Sequence, residues 1–223
     1  MIRGLIFDFD GLIIDTEGPA FQAWQEIFAA HGRTLTLDTW SNYVGAATGS
    51  FPAFERLEAE LGRTVDRESL LQIRQARKAE LAAALPLRPG VAAWIAAGRA
   101  LGLRLAIASS GPCAWVHEHL ARLGLAGAFD CIRCADDVVH VKPAPDLYLA
   151  VLAALDLAPD EVLALEDSPN GIAAARAAGI TCLAVPNPIT GRLDLSRADR
   201  RIESLADVPL SAVLAELGRT AGQ

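Results

Sequence analysis

From residue 98 onward the chain alternates short, near-continuous apolar runs with longer segments of helical period, a pattern few folds accept. Residues 103–108 (LRLAIA), 129–134, 162–165 (VLAL) and 180–185 read as strands, and residues 112–123, 144–155 and 168–178 as helices between them. A strand that is apolar along its whole length is buried on both faces. That requires a parallel sheet covered by helices on either side. Residues 4–9 (GLIFDF) form an opening strand of the same kind. The expected fold is α/β, with a Rossmann-like parallel sheet at its core and helices on both faces.

Residues 15–85 break this pattern. They show helical periodicity and no convincing strand: Phe21, Trp24, Ile27 and Phe28 share one face, as do Phe54, Leu57 and Leu61. Pro86 and Pro89-Gly90 end the stretch. The predicted organisation is an α/β core of residues 1–14 and 86–223, interrupted by an all-helical insert of residues 15–85. Trp24, Trp40, Phe21, Phe51 and Phe54 read first as the apolar core of that insert.

Composition limits the partners. A hydrophobic share of 52% over 223 residues suffices for a packed core. A net charge of −7 argues against nucleic acid and anionic membrane, which reward basic surfaces. It leaves open a small phosphorylated metabolite, because a bound cation and a few local Lys or Arg reverse the field inside a pocket. No apolar run reaches the roughly 18 residues needed for a membrane span, and the N-terminus enters a strand directly, so a cytoplasmic location is expected. The expected state is a monomer, with a homodimer left open. Four cysteines are too few for a disulfide scaffold. Cys131 and Cys134 form a lone C-x-x-C without a second ligand pair, and read as buried small hydrophobes rather than a zinc site.

In open parallel sheets, ligands bind beyond the carboxyl ends of the strands, so polar residues there matter most. Asp8 and Asp10 close the first strand at i, i+2 and are expected on one side of it, with Phe7 and Phe9 on the other. Two adjacent carboxylates repel unless a proton or cation lies between them, which suits a hard cation such as Mg2+ beside a nucleophile. The bland alternative is a solvated acidic loop. Ser109-Ser110-Gly111 follows the strand LRLAIA and leads into a helix, where a hydroxyl and free N–H groups suit a phosphate oxygen, or merely cap the helix. Lys142 precedes a proline-stiffened turn and is placed either to neutralise a nucleophile and phosphoryl group or simply to be solvated. Glu166 and Asp167 end the strand VLAL just before a helix start. They serve as helix-terminus charges or as a second acidic pair converging on the first.

Four segments, DFDGLIIDTE (8–17), IASSG (107–111), VKPAPD (141–146) and LEDSPNGI (165–172), occur in order at this sheet edge. With them the chain resembles the haloacid dehalogenase-like hydrolases, in particular the branch with β-phosphoglucomutase and small sugar-phosphate phosphatases. The resemblance covers nearly the whole chain, and the helical insert is similar to that family's cap domain. It implies that Asp8 attacks phosphorus to form an aspartyl-phosphate, and that Asp10 protonates the leaving oxygen and then activates water. It further implies that Ser109 and Lys142 bind phosphoryl oxygens, and that Mg2+ is held by Asp8, the Asp10 carbonyl, Glu166 and Asp167. Thr16, Glu17, Ser110, Gly111 and Asn170 are the expected substrate contacts. Retention of Asp10 points to a phosphate ester rather than a carbon–halogen or phosphonate substrate.

Mutases of this branch carry a cap histidine after the first motif and a cap-loop arginine for the distal phosphate. Here Ala20 stands at the histidine position, and the segment 44–49 (VGAATG) has no arginine. Hydrolysis of a small, sugar-like phosphate monoester is therefore the expected reaction, with a sugar-phosphate mutase as the alternative. Arg56, or a residue within 66–77, is the place to look for a substitute anchor. His117 and His119, at i, i+2, do not share a helix face and read as packed or solvated; Cys113 is given no catalytic role.

Overall fold

A computed structural model describes residues 1–41 and 52–220. Six strands, β1 (Gly4–Phe7), β2 (Arg104–Ala108), β3 (Cys131–Arg133), β4 (Val162–Glu166), β5 (Thr181–Ala184) and β6 (Arg200–Arg201), form one sheet in the order β3-β2-β1-β4-β5-β6. Every neighbouring pair is parallel. The chain builds outward from β1 on one side, then returns to β4 and builds outward on the other. The reversal lies between β1 and β4, where doubly wound sheets open a ligand crevice. Register fixes which strand ends meet there, with Phe7 opposite both Ile107 and Leu165.

Side-chain alternation explains the layers. Leu5, Phe7, Leu105, Ile107, Leu163 and Leu165 point to one face. There they pack on α5 (Val91–Ala100), α6 (Cys113–Arg122) and α9 (Leu210–Thr220) through Trp94, Val116, Leu120 and Val213. Ile6, Ala106, Ala108, Ala164 and Cys182 point the other way, and α7 (Asp146–Leu155) and α8 (Pro169–Ala177) cover them. Small residues on that face let Tyr148, Val151 and Ile172 lie close over the sheet. Each fully buried Leu, Ile or Phe contributes roughly 1.5–3 kcal/mol, so burial at the sheet centre supplies much of the fold's stability.

Within residues 15–85 the described residues form α1 (Glu17–Ala30), α2 (Leu37–Ser41), α3 (Ala53–Leu61) and α4 (Arg67–Ala82). This stretch has its own apolar cluster, with Trp24, Phe28, Trp40 and Leu57 buried and Phe21 and Phe54 packed at its margin. Trp24 meets Phe54 edge-on at 5.2 Å. Ile189, from the loop after β5, joins this cluster and ties the insert to the sheet domain. Phe51 and the segment 44–49 lie outside the described residues. Among those described, no helix is long and apolar enough to cross a membrane.

Three differences from the sequence reading have physical causes. The first strand stops at Phe7 rather than residue 9. Asp8 and Asp10 therefore lie beyond it, in a turn closed by Gly11 N–H donating to the Ile14 carbonyl at 2.7 Å. Gly11 has φ +93°, and a Cβ there would sit 2.1 Å from Asp167 Oδ2, so this position requires glycine twice over. The strand expected over 129–134 is only Cys131–Arg133, an edge strand. Finally, β6 and α9 were not anticipated, since β6 is two arginines with no apolar run to announce it.

Candidate active site

The crevice between β1 and β4 collects the charged residues. Asp8 follows β1, and its N–H donates to the Leu165 carbonyl at 3.0 Å, which sets it beside the end of β4. Lys142, from the loop before α7, reaches in with Nζ. It donates to Asp8 Oδ1 at 2.5 Å, Glu166 Oε1 at 2.6 Å and the Ala108 carbonyl at 2.7 Å. The side chains of Lys142, Asp8 and Glu166 are 5%, 9% and 0% exposed. Asp167 is buried beside them, and one carboxylate oxygen from each of Asp8, Glu166 and Asp167 lies within 4.8 Å of the others.

One ammonium does not balance three buried carboxylates. Burial pushes the Asp8 carboxyl up to about 8; Lys142 pulls it down and Glu166 pushes it further up. Burial, then the charges of Asp8 and Glu166, also hold Asp167 well above the usual range. For Lys142, burial alone would lower the pKa, but the charges and hydrogen bonds of Asp8 and Glu166 raise it. Glu166 Oε2 is buried with no hydrogen-bond partner among the described residues. An all-oxygen, charge-excess set of this kind fits a hard divalent cation.

A surrounding shell fixes these groups. Tyr148 Oη donates to Glu166 Oε1, and Lys142 Nζ lies 5.2 Å over the Tyr148 ring. Asn187 Nδ2 donates to Asp167 Oδ2 at 2.8 Å, while its Oδ1 accepts from the N–H groups of Ile189 and Thr190 at 2.9 Å. Arg88 donates to the carbonyls of Gly11, Val185 and Pro186, joining the first-motif turn to the loop after β5. The glycine of the SPNGI segment is also explained, because a Cβ on Gly171 would lie 1.8 Å from Glu166 Oε2.

Asp10 parts company with Asp8. It is half-buried and its Oδ1 accepts from Trp115 Nε1 at 3.1 Å. Ser109 is fully buried, its N–H bound to the Arg133 carbonyl and its Oγ accepting from Gly111 N–H at 3.0 Å. A Cβ on Gly111 would lie 3.0 Å from Asp10 Oδ2, so this loop passes directly beside Asp10. Ser110 is exposed, and Asn170 is half-buried in the first turn of α8. Thr16 is buried at the start of α1 with no side-chain cap bond. Glu17 is half-buried, and burial pushes its carboxyl up to about 7; Lys78 and Arg74 oppose that rise, while Asp10 and Asp15 add to it.

Sequence reasoning missed Tyr148, Asn187, Arg88, Trp115 and Lys78. Tyr148 had a signal, being the one polar-tipped residue on the buried face of α7. Lys78 Nζ lies 5.2 Å over the Trp115 ring, so α4 brings a cation next to the partner of Asp10. Of the arginines proposed as substitute anchors, Arg56 pairs with Glu60, Arg67 with Glu55 and Glu58, and Arg77 with Glu26 and Glu80. Arg74 instead sits 5.5 Å over Trp24, with its Nε buried and without a hydrogen bond among the described residues. Ala20 is buried in α1. His119 packs against Trp115 and Phe9, and His117 is exposed.

A doubly wound sheet with buried carboxylates able to hold a cation and a buried lysine at its switch point is the frame of a hydrolase that works on phosphorylated compounds. Comparison with known proteins agrees. A family profile described as haloacid dehalogenase-like hydrolase matches residues 2–179. YhcW of Bacillus subtilis (strain 168), named as a candidate phosphatase, is 45% identical over 217 residues, covering 97% of this chain and 98% of that protein. Fructose-1-phosphate phosphatase YqaB of Escherichia coli (strain K12) is 33% identical over 186 residues, covering 82% and 95%. Among solved structures, a CbbY variant from Rhodobacter sphaeroides in complex with xylulose-(1,5)bisphosphate superposes with a TM-score of 0.72 at 30% identity, over 95% of this chain and 98% of that one. The chain belongs to the haloacid dehalogenase-like hydrolases, and within them it is a phosphoric monoester hydrolase.

Proposed function

We propose that this chain is a Mg2+-dependent phosphatase that hydrolyses a small, sugar-like phosphate monoester through an aspartyl-phosphate on Asp8. The observation that carries this reading is the buried bridge from Lys142 to Asp8 and Glu166 at the β1/β4 crevice. The bridge sets the Asp8 carboxylate under one fixed positive charge, which supports its reading as the nucleophile, with a further carboxylate, Asp167, left for a cation. Residues 1–14 and 86–223 form the catalytic core, and residues 15–85 form the cap.

Asp8 attacks phosphorus while the bond to the ester oxygen breaks, and Asp10 delivers a proton to that departing oxygen. Asp10 then takes a proton from water, which attacks the aspartyl-phosphate, releases phosphate and restores Asp8. Trp115 holds the Asp10 carboxyl by its hydrogen bond at 3.1 Å, leaving the other oxygen toward the Ser109–Gly111 loop. Ser109 and Lys142 receive phosphoryl oxygens. Asp8, Glu166, Asp167 and the Asp10 carbonyl would hold Mg2+, which supplies charge neutralisation for the phosphoryl group when bound. Glu166 serves through both oxygens, with Oε1 shared between Lys142 and Tyr148 and the unpartnered Oε2 left for the metal. Thr16, Glu17, Ser110, Gly111 and Asn170 remain the proposed substrate contacts, joined by Lys78 and Arg74 from α4.

One observation favours a second reading. Arg74 and Lys78 give the insert two cations near Glu17 and Trp115, which would serve the distal phosphate of a mutase intermediate. A panel of sugar phosphates assayed with Mg2+ decides between them. Release of inorganic phosphate without an isomeric sugar phosphate is expected. Isomer formation that depends on a bisphosphate activator would establish the mutase instead.

A further inference from the structure

Cys134 has a partner that its C-x-x-C spacing conceals. Cys131 and Cys134 lie in different apolar clusters, on opposite faces of the sheet, and do not share a site. Cys113, the first residue of α6, comes instead to Cys134, just past the end of β3, and Asp137 completes the group. The two sulfurs and one carboxylate oxygen lie within 4.8 Å of one another. Asp137 Oδ2 accepts from Cys134 N–H at 2.8 Å and from Cys113 Sγ at 3.5 Å, so the carboxylate already faces both cysteines. Asp136 adds a second negative charge, its Oδ2 accepting from Cys113 N–H at 2.6 Å. Cys134 is fully buried while Cys113 is half-buried, so the group opens to solvent on one side.

We propose that Cys113, Cys134 and Asp137 bind a thiophilic divalent cation, with Zn2+ as the reference ion, at a site separate from the catalytic carboxylates. Sulfurs each about 2.3 Å from one tetrahedral ion lie about 3.8 Å apart, so the observed spacing needs only side-chain adjustment. Thiolate ligands select Zn2+ over Mg2+, which prefers oxygen, so the two sites sort the two ions by chemistry. Binding displaces both thiol protons, releasing two H+ per ion, so the two thiolates offset the ion's charge and Asp137 adds an anionic oxygen ligand. Solvent supplies the fourth ligand on the open side. Such an ion would clamp the first turn of α6 to the segment after β3. The loop before α6 is already joined to the segment after β3 by Ala135 N–H donating to the Gly111 carbonyl at 3.0 Å, two residues from Ser109.

The test titrates Zn2+ into the full chain in excess Mg2+ against a chromogenic chelator, and repeats the titration with Co2+ while recording the near-ultraviolet sulfur-to-metal charge-transfer band. Wild type and the control C131A should each take up one tight equivalent and show the band. C113S, at a half-exposed position that tolerates the change, should lose on the order of 100-fold in affinity and lose sulfur character in the band, while D137N should lose about tenfold. Unchanged uptake in C113S, absence of the band in wild type, or formation of a Cys113–Cys134 disulfide in place of metal uptake would each overturn the assignment. Melting curves of the metal-free variants separate loss of the site from loss of the fold.

Discussion

The sheet edge and the helical insert both supply charge to one pocket, but on opposite terms. At the sheet edge, Lys142, Asp8 and Glu166 are buried and joined by contacts of 2.5–2.7 Å, each fixed to a strand end or an adjoining loop. On the insert, Lys78 and Arg74 approach through aromatic faces at more than 5 Å, and Glu17 is only half-buried. Groups held by short bonds in an apolar frame are organised before substrate arrives, which is where electrostatic catalysis gains most. Cations resting on rings stay free to pair with a ligand. The contrast supports the proposed division, with chemistry at the first region and substrate selection at the second.

Asp8→Asn is the largest expected effect. It keeps the shape of the crevice but removes the proposed nucleophile, so kcat should fall by on the order of 10³ or more with Mg2+ present. Mg2+-dependent turnover near the wild-type rate would remove the sheet edge from its assigned role. Lys142→Met tests the same region through charge. Losing the ammonium leaves buried carboxylates without their partner, a cost on the order of 3–5 kcal/mol. The melting temperature should drop, Mg2+ should restore more of it than in wild type, and kcat should fall about 100-fold. A stable variant with unchanged kcat would mean that the bridge is structural ornament.

Lys78→Ala sharpens the other half of the contrast. If the insert selects substrate, KM should rise about tenfold while kcat stays within about twofold, the signature of lost uniform binding. A fall in kcat at constant KM would instead make Lys78 part of the chemistry, acting through Trp115 and Asp10, and the division between the two regions would fail.

This same division governs what the sequence revealed. The sheet domain was legible because its strands are continuous apolar runs and its polar residues stand where those runs stop. Asp8, Ser109, Lys142, Glu166 and Asp167 all lie at the predicted edge of the sheet. Residues that hold them were not legible: Asn187 meets Asp167 across 20 positions and Arg88 meets Gly11 across 77, pairings that only the folded register creates. The placement of Asp8 and Asp10 on one side of a strand failed for a local reason, since β1 ends at Phe7 and the Gly11 turn sends the two carboxylates to different partners. In the insert, periodicity announced helices but not which face of α4 turns toward the crevice. Arg74 and Lys78 are one turn apart on that face, yet nothing in RESLLQIRQARKAELA distinguishes them from Arg67 or Arg77, which pair with surface glutamates.

Glu17 gives the smallest effect and the finest test, because it belongs to the insert but titrates according to how closely it packs against the sheet edge. Burial raises its carboxyl from 4.5 to about 7 in the folded protein. A group that binds its proton more tightly when folded stabilises the fold fully below its unfolded value. That contribution fades as pH rises from about 4.5 and is gone above about 7. Glu17→Gln cannot titrate, so its stability should lack this component. Wild type should lose melting temperature relative to the variant between pH 5 and pH 8. The gap should be a few degrees, on the order of 1 kcal/mol, and should favour glutamine at the higher pH. A difference that does not change with pH would mean that Glu17 stays solvated when the protein folds. The insert would then rest less closely on the crevice than its contacts through Lys78 and Trp115 require.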